Sequence, residues 1–186
     1  MAVKLLVNNI KKKIDIDYVS TIVSNSAQYI NTNYIPNINS VFEFKYKPLG
    51  DRLFEFGNSQ IRGYRNYDSK YLLSINSVDY LFSGCSYNNV HTIKIKNKSI
   101  TIDEVETVKD SMIFNFDSTE PIAIFSDYSN TSFSKMMLYY FKISEGDKLI
   151  RDFRPCLDDN GVACLWDEVT QQYFYNLGTD NFTYSR

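Results

Sequence analysis

The sequence predicts an all-β sandwich of two antiparallel sheets, and three observations predict it. Short stretches alternate between apolar and polar residues, the period of a sheet with one wet face. Gly, Asn, Asp and Pro interrupt them at short intervals. The chain holds 15 Tyr and 13 Phe, side chains that suit pleated, half-buried surfaces. No segment carries a convincing apolar stripe of helical period. The 186 residues suit one domain, or one domain with an arm.

Residues 1–24 read as a separate N-terminal arm. Leu5, Leu6 and the triplet Lys11-Lys12-Lys13 are its candidate docking residues. The alternation in Ile14-Asp15-Ile16-Asp17-Tyr18-Val19 fits an extended arm or an extra strand. The sandwich is expected over 25–186.

Its clearest strand is 41–47, with Phe42, Phe44 and Tyr46 on one face and Glu43, Lys45 and Lys47 on the other. Pro48-Leu49-Gly50-Asp51 turns the chain, 53–56 forms the next strand and Gly57-Asn58 closes it. Residues 60–68 read as irregular and turn-bounded; 71–75 is a strand. Residues 91–96 pair with 99–102 across Asn97-Lys98. A helical turn is expected near 103–109, where charges crowd. Strands follow at 112–116 and 122–125. The longest apolar run, 135–143, turns through Ser144-Glu145-Gly146-Asp147 into 149–153. Near the C-terminus, Asn160-Gly161 signals a hairpin, since both central residues of a type I′ turn need φ > 0. Trp166 is expected between the sheets.

The net charge is −2, from 20 basic and 22 acidic residues, so no excess points to nucleic acid. No apolar run approaches a membrane span, and the N-terminus lacks a secretory pattern. Three cysteines, Cys85, Cys156 and Cys164, argue against a closed disulfide framework, and their spacing matches no zinc site. Cys156 and Cys164 flank the hairpin. An even loop would put them on opposite faces and an odd loop face to face; free buried thiols are expected.

Several stretches resemble one known family in order. These are Gln28-Tyr29-Ile30-Asn31-Thr32-Asn33-Tyr34-Ile35-Pro36, His91-Thr92-Ile93-Lys94-Ile95 and Met136-Met137-Leu138-Tyr139-Tyr140-Phe141-Lys142-Ile143. Arg151-Asp152-Phe153-Arg154-Pro155-Cys156, Gly161-Val162-Ala163-Cys164-Leu165-Trp166-Asp167 and Phe174-Tyr175-Asn176-Leu177-Gly178-Thr179 complete the set. Together they resemble the concanavalin A-like (laminin-G-like) lectin/glucanase domain of phage structural proteins and gut-bacterial surface proteins. Asn31 and Asn33 stand where the family usually has Asp and Gly, and Trp166 where it often has Tyr. The resemblance implies a jelly-roll sandwich in a phage virion protein, as capsid decoration or as a tail or fibre component assembled in the host cytoplasm. Its implied partners are other virion proteins, reached through the arm, host or mucosal glycans, and further copies of the chain in a homo-oligomer, although no heptad pattern marks a coiled coil. The runner-up is a carbohydrate-binding module or adhesin of a bacterial surface protein.

A polysaccharide hydrolase is the third reading, because family-16 glycoside hydrolases share this architecture. They place paired carboxylates on one strand face at a separation of roughly 5 Å. Asp103-Glu104-Val105-Glu106 has the wrong spacing and reads as a solvated patch. The single histidine, His91, shares a strand face with Ile93 and Ile95 and reads as a packed core residue. No catalytic residue is therefore assigned and the chain is read as non-enzymatic. Asp158-Asp159-Asn160-Gly161 reads as a turn; no metal ligand is assigned, although calcium at the sandwich rim, known in some laminin-G-like domains, stays open. Arg62, Tyr64, Arg65 and Tyr67 are the candidate ligand-facing residues, with Tyr128 and Tyr87 as weaker ones. Tyrosine rings stack on sugar faces, and guanidinium groups hydrogen-bond hydroxyls and carboxylates.

Overall fold

The computed structural model describes residues 15–25, 27–50, 55–66, 69–115, 117–127 and 132–186, with the side chains of Arg65 and Asn66 excepted. Among them there is no helix, and the strands form two antiparallel sheets. In chain order they are β1 (Asp17–Tyr18), β2 (Thr21–Asn25), β3 (Ile30–Asn31), β4 (Ser40–Pro48), β5 (Phe56–Gly57) and β6 (Ile61–Asn66). Then come β7 (Lys70–Ile75), β8 (Val78–Ser83), β9 (His91–Lys96), β10 (Ser99–Ile102), β11 (Val105–Val108) and β12 (Ala123–Ile124). The last five are β13 (Lys135–Glu145), β14 (Lys148–Leu157), β15 (Ala163–Asp167), β16 (Gln172–Phe174) and β17 (Thr183–Ser185). The large sheet runs β11-β10-β9-β4-β13-β14-β15-β16, and the small sheet β3-β12-β5-β6-β7-β8.

The period-2 reading of β4 holds. Phe42, Phe44 and Tyr46 are buried, and the charged residues between them face out. Their rings meet the small sheet through Phe56, which lies 5.4 Å from both Phe42 and Phe44. Phe141 of β13 stacks on Phe44 at 5.2 Å. Aromatic packing across the two inner faces thus ties the layers together.

Four local expectations are corrected. Residues 103–109 hold no helical turn: Asp103 and Glu104, both at positive φ, close a two-residue hairpin between β10 and β11. Residues 112–115 form no strand. Met112 and Phe114 bury their side chains, but their N–H groups go to Lys109 O and Asn97 Oδ1 rather than to a ladder. Residues 61–66 are a regular strand, β6, not an irregular stretch. At the β14–β15 hairpin only Gly161 has positive φ. The loop is Asp159–Asn160–Gly161, closed by Asp158 N–H to Val162 O at 3.0 Å. Asp158 Oδ1 accepts the N–H groups of Asn160 and Val162, and this cap selects the three-residue loop.

Within the 1–24 segment, read as an extended arm or an extra strand, residues 17–18 and 21–24 belong to strands of the large sheet. β13 and β14 pair between Phe141/Phe153 and their hairpin, then diverge. β2 pairs with the first half of β13, β1 with the end of β14, and β17 with the other side of β2. Both ends of the described chain therefore fill one fork. Arg186 closes it with two hydrogen bonds of 2.9 Å to the Asp17 carboxylate.

Candidate functional site

The sandwich brings four distant connections to one end. The β6–β7 connection meets the β8–β9 connection where Ser69 O accepts the N–H groups of Gly84 and Cys85, at 3.1 and 3.0 Å. The β8–β9 connection meets the chain after β4 through Asn88 N–H to Pro48 O and Tyr87 Oη to Leu49 O, both 3.2 Å. Leu49 N–H reaches Lys135 O at 2.9 Å, and Phe125 N–H reaches Glu55 O at 2.8 Å, drawing in the β12–β13 connection. These bonds join the described parts of the four connections, which are far apart in sequence, into a rim.

The expected ligand-facing residues belong to this rim or to the strand that leads into it. Arg62 and Tyr64 are half-buried on β6, alternating with buried Ile61 and Gly63, so both face outward from the small sheet. Arg65 follows on the same strand. Tyr67 and Tyr128 lie outside the described residues, as do Leu5, Leu6, Lys11, Lys12 and Lys13. Tyr87 is exposed at the rim. Arg62, Tyr64 and Tyr87 are thus positioned by a strand and a tied loop.

His91 opens β9 at the same end and is buried. Its Nδ1 lies 2.6 Å from Asp103 Oδ2, and its Nε2 lies 2.9 Å from Ser86 O and 3.3 Å from Ser86 Oγ. The side chains are those of a hydrolytic triad, but the geometry is not. The shorter Nε2 contact is to a carbonyl, which requires an N–H there and leaves no lone pair to take a proton from Ser86 Oγ. Asn89 Nδ2 also donates to that hydroxyl at 2.7 Å. Asp103 Oδ1 accepts Thr92 N–H at 2.8 Å. His91 is a strut that fastens the 84–90 connection to the β10–β11 turn. Glu106, farther along that stretch, pairs with Lys96 Nζ at 2.9 Å. The Asp103 and Glu106 carboxylates are committed to separate contacts. Among the described residues no group of three His, Cys, Asp or Glu side chains could hold a metal ion.

A second polar surface was not expected: the outer face of the large sheet. A β-bulge places Tyr139 as an extra residue in β13, so that Leu138 lies opposite Tyr46 and Tyr140 opposite Lys45. Tyr139 and Tyr140 consequently both leave the core, which a regular strand forbids. The sequence signal was the pair of adjacent tyrosines between buried Leu138 and buried Phe141. Lys45 Nζ stands 5.4 Å from the Tyr139 ring centre. Lys142 Nζ and Arg154 Cζ stand 5.5 and 5.3 Å from that of Tyr140. Tyr140 Oη donates to Glu43 at 3.3 Å, and burial first, then Glu43, pushes the phenol above its ordinary pKa.

No family model matches this chain, and no curated protein matches it.

Proposed function

We propose that the chain is a non-enzymatic recognition protein: a concanavalin A-like, lectin-like sandwich in a phage virion, decorating the capsid or forming part of a tail or fibre. Residues ahead of β1 dock on the particle, and Arg62 and Tyr64 on the outer side of the small sheet, with Tyr87 at the rim, oppose a host or mucosal glycan. The motif resemblance supplies the viral setting. The observation that carries recognition is that a regular strand, β6, turns Arg62 and Tyr64 outward from the small sheet, while Tyr87 is tied at the rim by its hydrogen bond to Leu49 O. A rigid support limits the ordering cost of binding.

A glycan array read with the full chain tests the glycan half of this reading. Selective binding, competed by free glycan and lost in Tyr64→Ala, is the expected result. Silence across the array would remove the glycan from the proposal. Electron microscopy of the native assembly tests the other half, with copies bound to a capsid or tail as the expected image. Copies on a bacterial envelope instead would replace the virion with an adhesin.

A further inference from the structure

We infer that Cys156 and Cys164 are a modification site: they close into a cross-strand disulfide by exchange with a small-molecule disulfide such as oxidised glutathione. The bond staples the β14–β15 hairpin where β1 docks on it. The inference uses none of the rim residues and stands independently of the proposal above.

All three cysteines are free thiols in the structure. Two of them are direct register partners, Cys156 on β14 and Cys164 on β15, with Sγ atoms 3.6 Å apart. The backbone around them fixes the kind of pair they make. Pro155 O accepts the N–H of Val19, so Pro155 turns its polar backbone toward the β1 side. The next residue of a strand turns the other way, so Cys156 directs its N–H and C=O at Cys164. Asp158, two residues on, bonds Val162 across the same hairpin, in step with that alternation. Residues paired in this way have Cα atoms about 5.5 Å apart, inside the roughly 4.4–6.8 Å that a disulfide spans. Bond formation brings the sulfurs from 3.6 Å to about 2.05 Å, a distance that rotation of the two side chains covers.

The surroundings make the pairing selective. Cys156 and Cys164 share a small buried cluster with Trp166, against which Ile16 and Tyr173 pack. Cys85 belongs to the main core instead, 3.0 Å from Tyr46 Oη. The fold therefore offers each thiol of the pair one partner.

In the first step one thiol loses its proton, and the thiolate attacks a sulfur of the glutathione disulfide. A mixed disulfide forms, and one glutathione leaves as a thiolate that takes up a proton. The second thiol, deprotonated in turn, attacks the protein sulfur of the mixed disulfide. The Cys156–Cys164 bond forms and the second glutathione leaves, again taking a proton. Two protein thiols are oxidised, and one glutathione disulfide is reduced to two thiols. Both sulfurs are buried in the finished sheet, with Tyr18 of β1 opposite Cys156. The exchange therefore precedes closure of that cover. The hairpin is local in sequence, whereas β1 joins it from the far end of the described chain.

The test is refolding of the reduced full chain from urea into glutathione buffers of rising oxidised fraction, beside a parallel series kept in urea. After equilibration, N-ethylmaleimide added with denaturant blocks the free thiols, and intact mass with peptide mapping locates the bond. The expected product of native refolding carries one adduct, on Cys85, and a Cys156–Cys164 link. Its exchange constant should be roughly tenfold or more larger than in urea, because the fold holds the two thiols together. Cys164→Ser should form no intramolecular bond, and circular dichroism confirms that it folds. If it does not fold, the map and exchange constants of the unaltered chain decide alone. Three adducts after native refolding in the most oxidising buffer, a link to Cys85, or an exchange constant no larger than in urea would overturn the inference.

Discussion

Cys156 and Cys164 face each other across β14 and β15, with their sulfur atoms 3.6 Å apart. The three-residue loop of the hairpin sets this register. An even loop would have turned one thiol to the opposite face. Both are fully buried in a small cluster with Trp166, Tyr173 and Ile16. The hydrogen bond between the thiols, with burial second, holds Cys164 far above its ordinary pKa. Cys85 is also buried, 3.0 Å from Tyr46 Oη. Because the thiolate is the reactive form, the folded chain should resist N-ethylmaleimide at neutral pH and take three adducts in denaturant. Intact-mass spectrometry reads this directly. Rapid adduct formation on the native chain would show that the cover over the pair opens readily.

That cover depends on the start of the described chain. Tyr18 is the register partner of Cys156 on one side of β14, Ile16 packs on the cluster, and the Tyr18 hydroxyl donates to Glu168. Val19 is buried in the main core, and its N–H reaches Pro155 O at 3.1 Å. A chain starting at residue 21 should therefore be less stable than one starting at residue 15, by about 2–4 kcal/mol from the lost apolar burial. Urea denaturation of the two truncations measures the difference. Equal midpoints would return residues 15–20 to the status of an arm.

Trp166 sits in the same cluster, on the outer side of the large sheet rather than between the sheets. Its neighbours Leu165 and Asp167 point the other way. It is nonetheless buried, with the Tyr173 ring edge-on at 4.9 Å. Trp166→Ala should cost about 3–5 kcal/mol in urea unfolding. A loss below about 1 kcal/mol would mean that the cluster collapses into the vacated space.

Local alternation made β4, β9 and β10 legible, because one strand's own residues report its wet and dry faces. Turn chemistry gave the position of the β14–β15 hairpin but not its loop length, which the Asp158 side chain decides. What depends on distant partners was hidden. β1 finds Leu157 and Cys156 across the whole domain, and the fork that admits it exists only because β13 and β14 diverge. The aromatic and arginine residues of β6 were visible as candidates. The rim at the end of that strand was not, since it is made by hydrogen bonds to backbone carbonyls that carry no side-chain signature. The bulge on the outer face depends on the β4–β13 register, although adjacent Tyr139 and Tyr140 broke the alternation openly.

Asp158 links that hairpin to pH. Its carboxylate accepts Val162 N–H at 2.8 Å, Asn160 N–H at 2.9 Å and the Tyr175 hydroxyl at 3.2 Å. The Val162 bond is the largest of these in holding the carboxyl below its ordinary pKa. Burial and then the Asp158 contact push the Tyr175 phenol up to about 12. With the folded value below the unfolded one, the cap's contribution is complete above the ordinary aspartate range. It is lost as the pH falls through the lowered value. Carboxyl-carbon NMR titration should show Asp158 protonating below a model aspartate, with the Val162 amide shifting in step. An Asp158 carboxyl that titrates at the ordinary value would refute the cap.

Gly63 marks the tightest approach in the small sheet. It lies opposite Phe56 on one side and Leu73 on the other. A Cβ there would stand 2.2 Å from Tyr71 Oη and 2.3 Å from Phe56 Cε1, both on fully buried rings. The backbone conformation is not the obstacle; the space is. Gly63→Ala should therefore destabilise by about 1–3 kcal/mol through overpacking. Tyr71 Oη has no hydrogen-bond partner among the described residues, so Tyr71→Phe alone should cost little. Combining the two substitutions removes the nearer of the two clashing atoms and should recover part of the loss. The double-mutant cycle, read by urea denaturation, should give a favourable coupling. Strict additivity would show instead that the Phe56 edge alone sets the limit at this crossing.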